Sequence, residues 1–321
     1  MLNAQQYGDA LWQATKNDGQ VPASDIYGND PNNPTIPAFL DAAQTIPSAD
    51  VDWVKEIMQT APIHSYNVTL LKGGERTQNS LSLGYFNQEG IIKNTGFERY
   101  SARFNSTYKL TNFLTIGENL GLSYRDQVSV NTNSALGSII YNAYKFPSIV
   151  PVKNTNGDFA GNPINDIGNP LGSLDRGKGN NQKRIQALGS AFASINVDNF
   201  VFKSVIGLDF QNYNRRSFSP VYDEILASNN TNSLSTSNSF NYQSTFSNTL
   251  TYNNAFGKHN FDALLGQEAI KYYGESFSAS RSTFAYEDDS FKYLSFGSEN
   301  QLNSGSASSW ALNSYFGRVN Y

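Results

Sequence analysis

The chain has 321 residues, of which 16% are charged and 13% are aromatic, and its formal net charge is −4. This weak negative charge argues against a nucleic-acid-binding protein, which would carry a basic face. The absence of cysteine excludes a disulfide framework, a thiolate metal site and a cysteine nucleophile. No apolar run approaches the ~18 residues that a transmembrane helix needs, but alternating membrane strands average to neutral and are compatible with this composition.

The first third of the chain begins with helix and loop signals. Residues 4–16 place Tyr7, Leu11 and Trp12 near one face, which predicts a short helix. Residues 18–50 are rich in Pro, Asp and Asn and predict a loop, and residues 50–59 predict a second short helix. We therefore interpret residues 1–63 as a loop and short-helix segment that precedes the strands of residues 64–321.

From Tyr66 onward the hydrophobic period changes to two. Tyr66, Val68 and Leu70 alternate with polar residues, and similar runs begin near residues 81, 100, 114, 185, 200, 240, 261 and 311. Such alternation places one face of a strand against an apolar medium and the other against water. The pattern predicts about nine strands of 10–14 residues.

The connections between these strands alternate between short and long. Residues 72–78, 110–113, 198–199 and 253–258 form short turns, whereas 88–97, 126–183, 214–239 and 272–309 form long loops. Short periplasmic turns and long extracellular loops are typical of a transmembrane β-barrel. The predicted fold is all-β, a partial antiparallel transmembrane β-barrel with short helices near the N-terminus, and a soluble all-β protein is the alternative.

Candidate functional residues fall into two groups. The charged residues predicted to face the lumen of a barrel are Arg99, Arg103, Arg125, Lys203 and Asp209. The loop residues predicted to contact a sugar or a peptide are Tyr141, Tyr144, Phe146, Phe159 and Asn162. No combination of nucleophile, base and orienting group can be assembled from the sequence, so we expect no catalytic residues, no metal site and no cofactor.

Several segments resemble one family of membrane proteins. The run LGYFNQEGII at 83–92, followed by RYSARFN at 99–105, is similar to a succession in SusC/RagA-type TonB-dependent outer-membrane transporters. The segments LNAQQY at 2–7 and SYFGRVNY at 314–321 are similar to further recurrent family segments. The resemblance covers nearly the whole chain, in order.

The resemblance implies a 22-stranded barrel in the outer membrane of a Gram-negative, Bacteroidetes-type cell. It also implies a SusD-like surface lipoprotein as partner, coupling to the TonB complex through a plug domain, and import of oligosaccharides or peptides. The present residues align with the first half of the barrel, after the plug. We therefore expect this chain to be part of a longer polypeptide that supplies the plug and the remaining strands.

Two other functions remain open at this point. A passive porin-type barrel would share the strands and loops but would lack a plug and energy coupling. A surface glycan-binding β-protein would be soluble and would carry its aromatic rows on one sheet face only.

Overall fold

The computed structural model describes residues 1–133 and 137–321. The strands are β1 Ile63–Gly73, β2 Thr77–Glu89, β3 Gly96–Lys109, β4 Leu114–Val128, β5 Asn181–Val197, β6 Phe200–Ser219, β7 Tyr222–Glu224, β8 Ala227–Asn229, β9 Ser233–Phe256, β10 His259–Phe284 and β11 Gly297–Asn320. The helices are α1 Ala4–Asn17, α2 Trp53–Glu56, α3 Ile139–Lys145 and α4 Pro170–Arg176, with single 3₁₀ turns at Asp289–Phe291 and Leu294–Phe296. Among the described residues, no helix is long and apolar enough to cross a membrane.

Nine of the strands form one antiparallel sheet in the order β1-β2-β3-β4-β5-β6-β9-β10-β11. Each strand therefore pairs with its neighbour in sequence, except that the small β7–β8 hairpin is set aside in the connection between β6 and β9. This confirms the predicted all-β architecture, and the sheet is a section of barrel wall with β1 and β11 at its two edges.

The connections confirm the predicted asymmetry between short turns and long loops. At one end of the sheet, here called the turn end, β5 and β6 are joined by Asp198 and Asn199 alone, with Asp198 at φ +50°. At the opposite end, the loop end, residues 129–180 connect β4 to β5, and residues 285–296 connect β10 to β11. Tight two-residue hairpins require a left-handed residue, which Asp tolerates better than most.

The last strands are longer than the sequence predicts. Residues 214–239 and 272–309 were expected to be loops, yet β10 continues to Phe284 and β11 begins at Gly297. Near the loop end Ser276, Ser278 and Ser306 share one face of the sheet. On the other face of β10, Phe277 is followed by Ala279 and Arg281. The prediction was wrong there because that second face lacks the repeated large apolar side chains that reveal a strand.

One face of the sheet is apolar and exposed, and we call it the apolar face. It presents large side chains in rows across the strands, and Leu265 is 68% exposed. Exposed members of these rows include Tyr66, Val68, Leu70, Leu83, Leu120, Leu122, Ile206 and Leu250. A soluble protein rarely leaves so extensive an apolar surface open, so we predict that lipid covers this face.

The two predicted N-terminal helices are present. Helix α1 begins with a capping box in which Asn3 accepts from the backbone of Gln6 while the Gln6 side chain accepts from the backbone of Asn3. Helix α2 is shorter than the predicted residues 50–59, because Asp52 caps it and the chain leaves the helix at Ile57.

Replacing Leu120 by Arg tests the assignment of the apolar face. Leu120 lies near the middle of β4 on that face, whereas its neighbour Asn119 lies between Asn105 and Ser190 on the opposite face. We expect Leu120→Arg to destabilise the full-length protein in lipid by about 2–4 kcal/mol, because a charge at the bilayer midplane is poorly solvated. Denaturant titration in lipid vesicles measures this, with Asn119→Arg as the matched control; equal losses in both variants would contradict the assignment.

Candidate functional site

A compact unit covers the loop end of the sheet. Its buried core draws side chains from residues 4–57, from Ile92 in the β2–β3 connection, and from residues 139–174 of the β4–β5 loop. Backbone hydrogen bonds from Ala49 to Ile149 (2.9 Å) and from Val51 to Ser148 (2.9 Å) join the first segment to the loop. The N-terminal segment and the loop therefore fold together at the loop end of the sheet.

Trp53 is the central side chain of this unit. Because Asp52 caps α2 by accepting a hydrogen bond from the backbone of Lys55, the first helical residue, Trp53, is turned inward. Its ring is fully buried, lies edge-to-face on Phe146 at 4.6 Å between centroids, and donates from Nε1 to the carbonyl of Pro147 at 3.1 Å. The indole thus fills the core and also satisfies its only polar group.

Tyr27 anchors the start of α1 to the same core. It is 1% exposed and its hydroxyl donates to the carbonyl of Ala4 at 3.0 Å. Burial raises the pKa of Tyr27 above its ordinary value, and the neighbouring Tyr7 and Asp50 act in the same direction. The phenol therefore stays protonated and keeps its role as a donor.

A buried ion pair joins two different loops. Glu224, at the end of β7 and 2% exposed, accepts from Arg176 Nη1 at 2.6 Å and from the backbone N–H of Asn169 at 2.6 Å. Arg176 also stacks on the ring of Tyr222, with its guanidinium carbon 3.7 Å from the centroid. Asn169 in turn caps α4 through the backbone of Leu171 and Gly172. We call these contacts the Glu224 clamp, because they tie the β4–β5 loop to the β7–β8 hairpin.

Three of the five predicted ligand-contacting residues have accessible side chains. Tyr144 is the most open, at 64% exposed. Tyr141 and Phe159 are half-buried, and lysines lie over their rings: Lys145 over Tyr141 at 5.8 Å and Lys153 over Phe159 at 5.3 Å. Ligand contact by these residues stays a prediction.

The other two predicted ligand contacts lie inside the loop. Phe146 packs against Trp53, and Asn162 is fully buried. The Asn162 side chain donates to Asn165 Oδ1 at 2.6 Å and accepts from the backbone of Ile164 at 2.9 Å. In this conformation both side chains are used for packing and loop geometry and present no surface to a ligand.

The five predicted lumen-facing charges share one face of the sheet, here called the polar face. Register places Arg99 opposite Arg125, Arg103 opposite Gly121, and Asp209 opposite Leu188. Lys203 lies opposite Ser194 on the same face, close to the turn end, and its ammonium sits 4.7 Å from the centroid of Phe192. That these side chains line a lumen stays a prediction; they do share the face opposite the exposed apolar rows.

The sequence analysis missed Arg184 on the polar face and the ion pair between Arg176 and Glu224. Arg184 lies on the polar face of β5, directly opposite Arg125, but β5 has only a weak apolar stripe, so its register was not readable. The partnership of Arg176 with Glu224 spans 48 residues and left no local signal. Within the part of the chain that the structure describes, no three His, Cys, Asp or Glu side chains form a group that could hold a metal ion.

Comparison with known proteins finds relatives of a single kind. No family model matches the chain. The chain is 29% identical over 284 residues to TonB-dependent receptor P3 of Formosa agariphila and 26% identical over 282 residues to TonB-dependent receptor P26 of the same organism. These matches cover 85% and 84% of this chain but only 28% and 27% of the relatives. The chain therefore spans less than a third of the length of the curated relatives it matches.

Solved structures give the same picture of the fold. The chain is similar to a chain of the RagAB peptide transporter, with a TM-score of 0.73 and 25% identity over 85% of this chain and 31% of that one. The RagAB peptide importer in its closed-closed state gives a TM-score of 0.78 and 24% identity over 100% of this chain and 38% of that one.

The fold and the matches define the class of protein. The nine-stranded sheet with its loop-end unit has the fold of a section of β-barrel wall, similar to that of the RagAB transporter. More particularly, the resemblance of the sequence to SusC/RagA-type TonB-dependent transporters is confirmed.

Replacing Glu224 by Gln tests whether the clamp holds the loops together. Removing one charge of a buried pair leaves Arg176 without its partner, and such a loss costs about 3–5 kcal/mol. We expect faster hydrogen exchange at the amides of Asn169 and α4 in the full-length protein, while the amides of β3 and β4 keep their protection.

The matched control for this variant is Asp223→Asn. Asp223 is the adjacent exposed carboxylate, and it bonds only within its own hairpin, to Ile225 and Ser228. Equal exchange rates in the two variants would show that the Glu224 clamp does not hold the loop.

Proposed function

We propose that this chain is part of an outer-membrane, TonB-dependent active transporter that imports oligosaccharides or peptides. The observation that carries the proposal is the architecture of the sheet. It is an antiparallel meander with one exposed apolar face and every long loop at one end, and it matches a transporter barrel over its whole length. Similarity to proteins named TonB-dependent receptors supports the energy-coupled form of transport.

In this proposal the loop end faces the outside of the cell. Residues 64–321 form barrel strands, and residues 1–63 join the long loops above the mouth. Solute is first held among the loops, where Tyr141, Tyr144 and Phe159 offer aromatic surface. The polar face then supplies hydrogen bonds and charges along the path through the barrel, with Arg103 and Lys203 at different depths.

The partners follow from the same proposal. A SusD-like lipoprotein would close over the loop-end unit, and the Glu224 clamp would keep two of the loops in one arrangement for that contact. A plug carried by the longer polypeptide would occupy the lumen and pass the force of TonB to the solute path. The similarity of this chain to the RagAB peptide transporter supports peptides as one of the two proposed classes of solute.

Uptake in cells with and without TonB tests the proposal. The full-length gene product and its neighbouring lipoprotein are expressed in a Bacteroidetes host, and uptake of fluorescent peptides and oligosaccharides is measured. We expect the protein in the outer-membrane fraction and uptake of at least one solute class that falls to background when TonB is deleted.

The other functions give different results in the same experiment. A passive porin-type barrel would keep its uptake in the TonB deletion. A surface glycan-binding protein would bind solute without uptake and would dissolve without detergent.

A further inference from the structure

Three arginines stand side by side on the polar face. Register places Arg99 of β3 opposite Arg125 of β4, and Arg125 opposite Arg184 of β5. Each lies three residues from the loop end of its strand. We call them the arginine row. Neighbouring strands are only about 4.8 Å apart, and like charges at directly opposite positions destabilise a sheet.

Among the residues that the structure describes, no carboxylate forms an ion pair with this row. None of the six ion pairs within residues 1–133 and 137–321 involves Arg99, Arg125 or Arg184. The Nε atoms of Arg125 and Arg184 are buried and have no hydrogen-bond acceptor among the described residues. The arginine row therefore has positive charge without a paired anion and N–H donors without an acceptor.

Neutral neighbours hold the guanidinium groups in position. Arg125 Nη2 donates to Gln186 Oε1 at 3.5 Å, and Arg184 Nη2 donates to Gln211 Oε1 at 2.6 Å. Arg184 also lies over the ring of Tyr213, at 4.6 Å from the centroid. These contacts orient the arginines and leave donors of each fork unused.

The nearest carboxylate on this face is already engaged. Asp209 accepts from the amides of Gln186 at 3.3 Å and Gln211 at 3.2 Å. The two glutamines thus stand between Asp209 and the arginines, and one carboxylate faces three guanidinium charges. The excess of positive charge persists after every described contact is counted.

Beside the row, the surface has room for a ligand. A hollow of about 330 Å³ lies over Arg99, Arg103 and Arg125, and its floor includes the small residues Gly84 and Gly121. This volume is at the lower end of the range of small-ligand pockets, about 300–1,000 Å³.

We propose that the arginine row binds carboxylate groups carried by the imported solute. Guanidinium forks match the geometry of a carboxylate and bind it through two parallel hydrogen bonds. On the apolar face, the adjacent residues Tyr85, Tyr100 and Tyr124 form an aromatic row of the kind found at membrane interfaces, which sets the arginine row at the mouth of the barrel. An acidic peptide or acidic oligosaccharide would meet these charges just below the loops.

This inference rests on the proposed function, because a solute reaches the row only if the sheet lines a transport path. Its test uses the full-length receptor with its lipoprotein, purified in detergent. The probes are a hexapeptide of alternating Glu and Ala and the same peptide with Gln in place of Glu. Calorimetry measures the affinity of both.

We expect the wild-type receptor to bind the Glu peptide about tenfold or more tightly than the Gln peptide, in line with hydrogen bonds between charged groups. Arg125→Gln should abolish most of this preference, and Arg125→Lys should keep part of it. The matched control is Arg76→Gln, an exposed arginine in the β1–β2 turn at the opposite end of the sheet. It should leave the preference unchanged.

Several results would overturn the proposal. Equal binding of the two peptides by the wild-type receptor, or binding of neither, would contradict it. A preference for the Glu peptide that survives Arg125→Gln would contradict it as well. If Arg125→Gln lowers the melting temperature of the solute-free receptor and leaves peptide preference intact, the anion is an acidic side chain of the protein itself. If uptake of the Gln peptide still depends on TonB in any of these cases, the proposed function stands and only the carboxylate site is contradicted. If no uptake depends on TonB, both the proposed function and the carboxylate site are contradicted.

Discussion

Backbone hydrogen bonding between neighbouring antiparallel strands is the interaction on which the rest of this structure depends. Every residue of β2 pairs on one side with β1 or on the other with β3, and the same ladder continues to β11. In a hydrocarbon medium an unpaired N–H or C=O costs several kcal/mol, so the chain can leave the ladder only where water is available. Turns and irregular structure are therefore confined to the two ends of the sheet.

The ladder also separates two chemical surfaces, because successive side chains point to opposite faces. Leu120 and Asn119 are adjacent in sequence yet belong to the apolar and polar faces respectively. Apolar side chains on the first face need no partner beyond lipid. Charged side chains lie on the second face, and the strand registers bring the three arginines of the row together there.

The loop-end unit follows different rules from the strands beneath it. Its core contains an indole and a phenol that are both hydrogen-bonded, and the buried carboxylate of Glu224, from the β7–β8 hairpin, bonds to the backbone of its Asn169. The hydrogen bond from Trp53 to Pro147 joins residues that are 94 positions apart in the chain. The contact between Arg176 and Glu224 joins residues that are 48 positions apart. A preorganised set of loops loses less conformational entropy on binding than a set that must first become ordered.

The period-two strands, the turn and loop asymmetry, the two N-terminal helices and the family resemblance at residues 83–105 can all be read from local sequence. They are readable because alternation, turn residues and caps act over a few positions. The length of β10 and β11, the burial of Phe146 and Asn162, and the Glu224 clamp depend instead on contacts between distant segments. The arginine row belongs to this second group, because Arg99, Arg125 and Arg184 meet only once the registers of three strands are set. The register of two strands depends on contacts along their whole lengths. For β4 and β5 these contacts also join segments that a loop of 52 residues separates, between Val128 and Asn181. No short stretch of sequence therefore specifies this register.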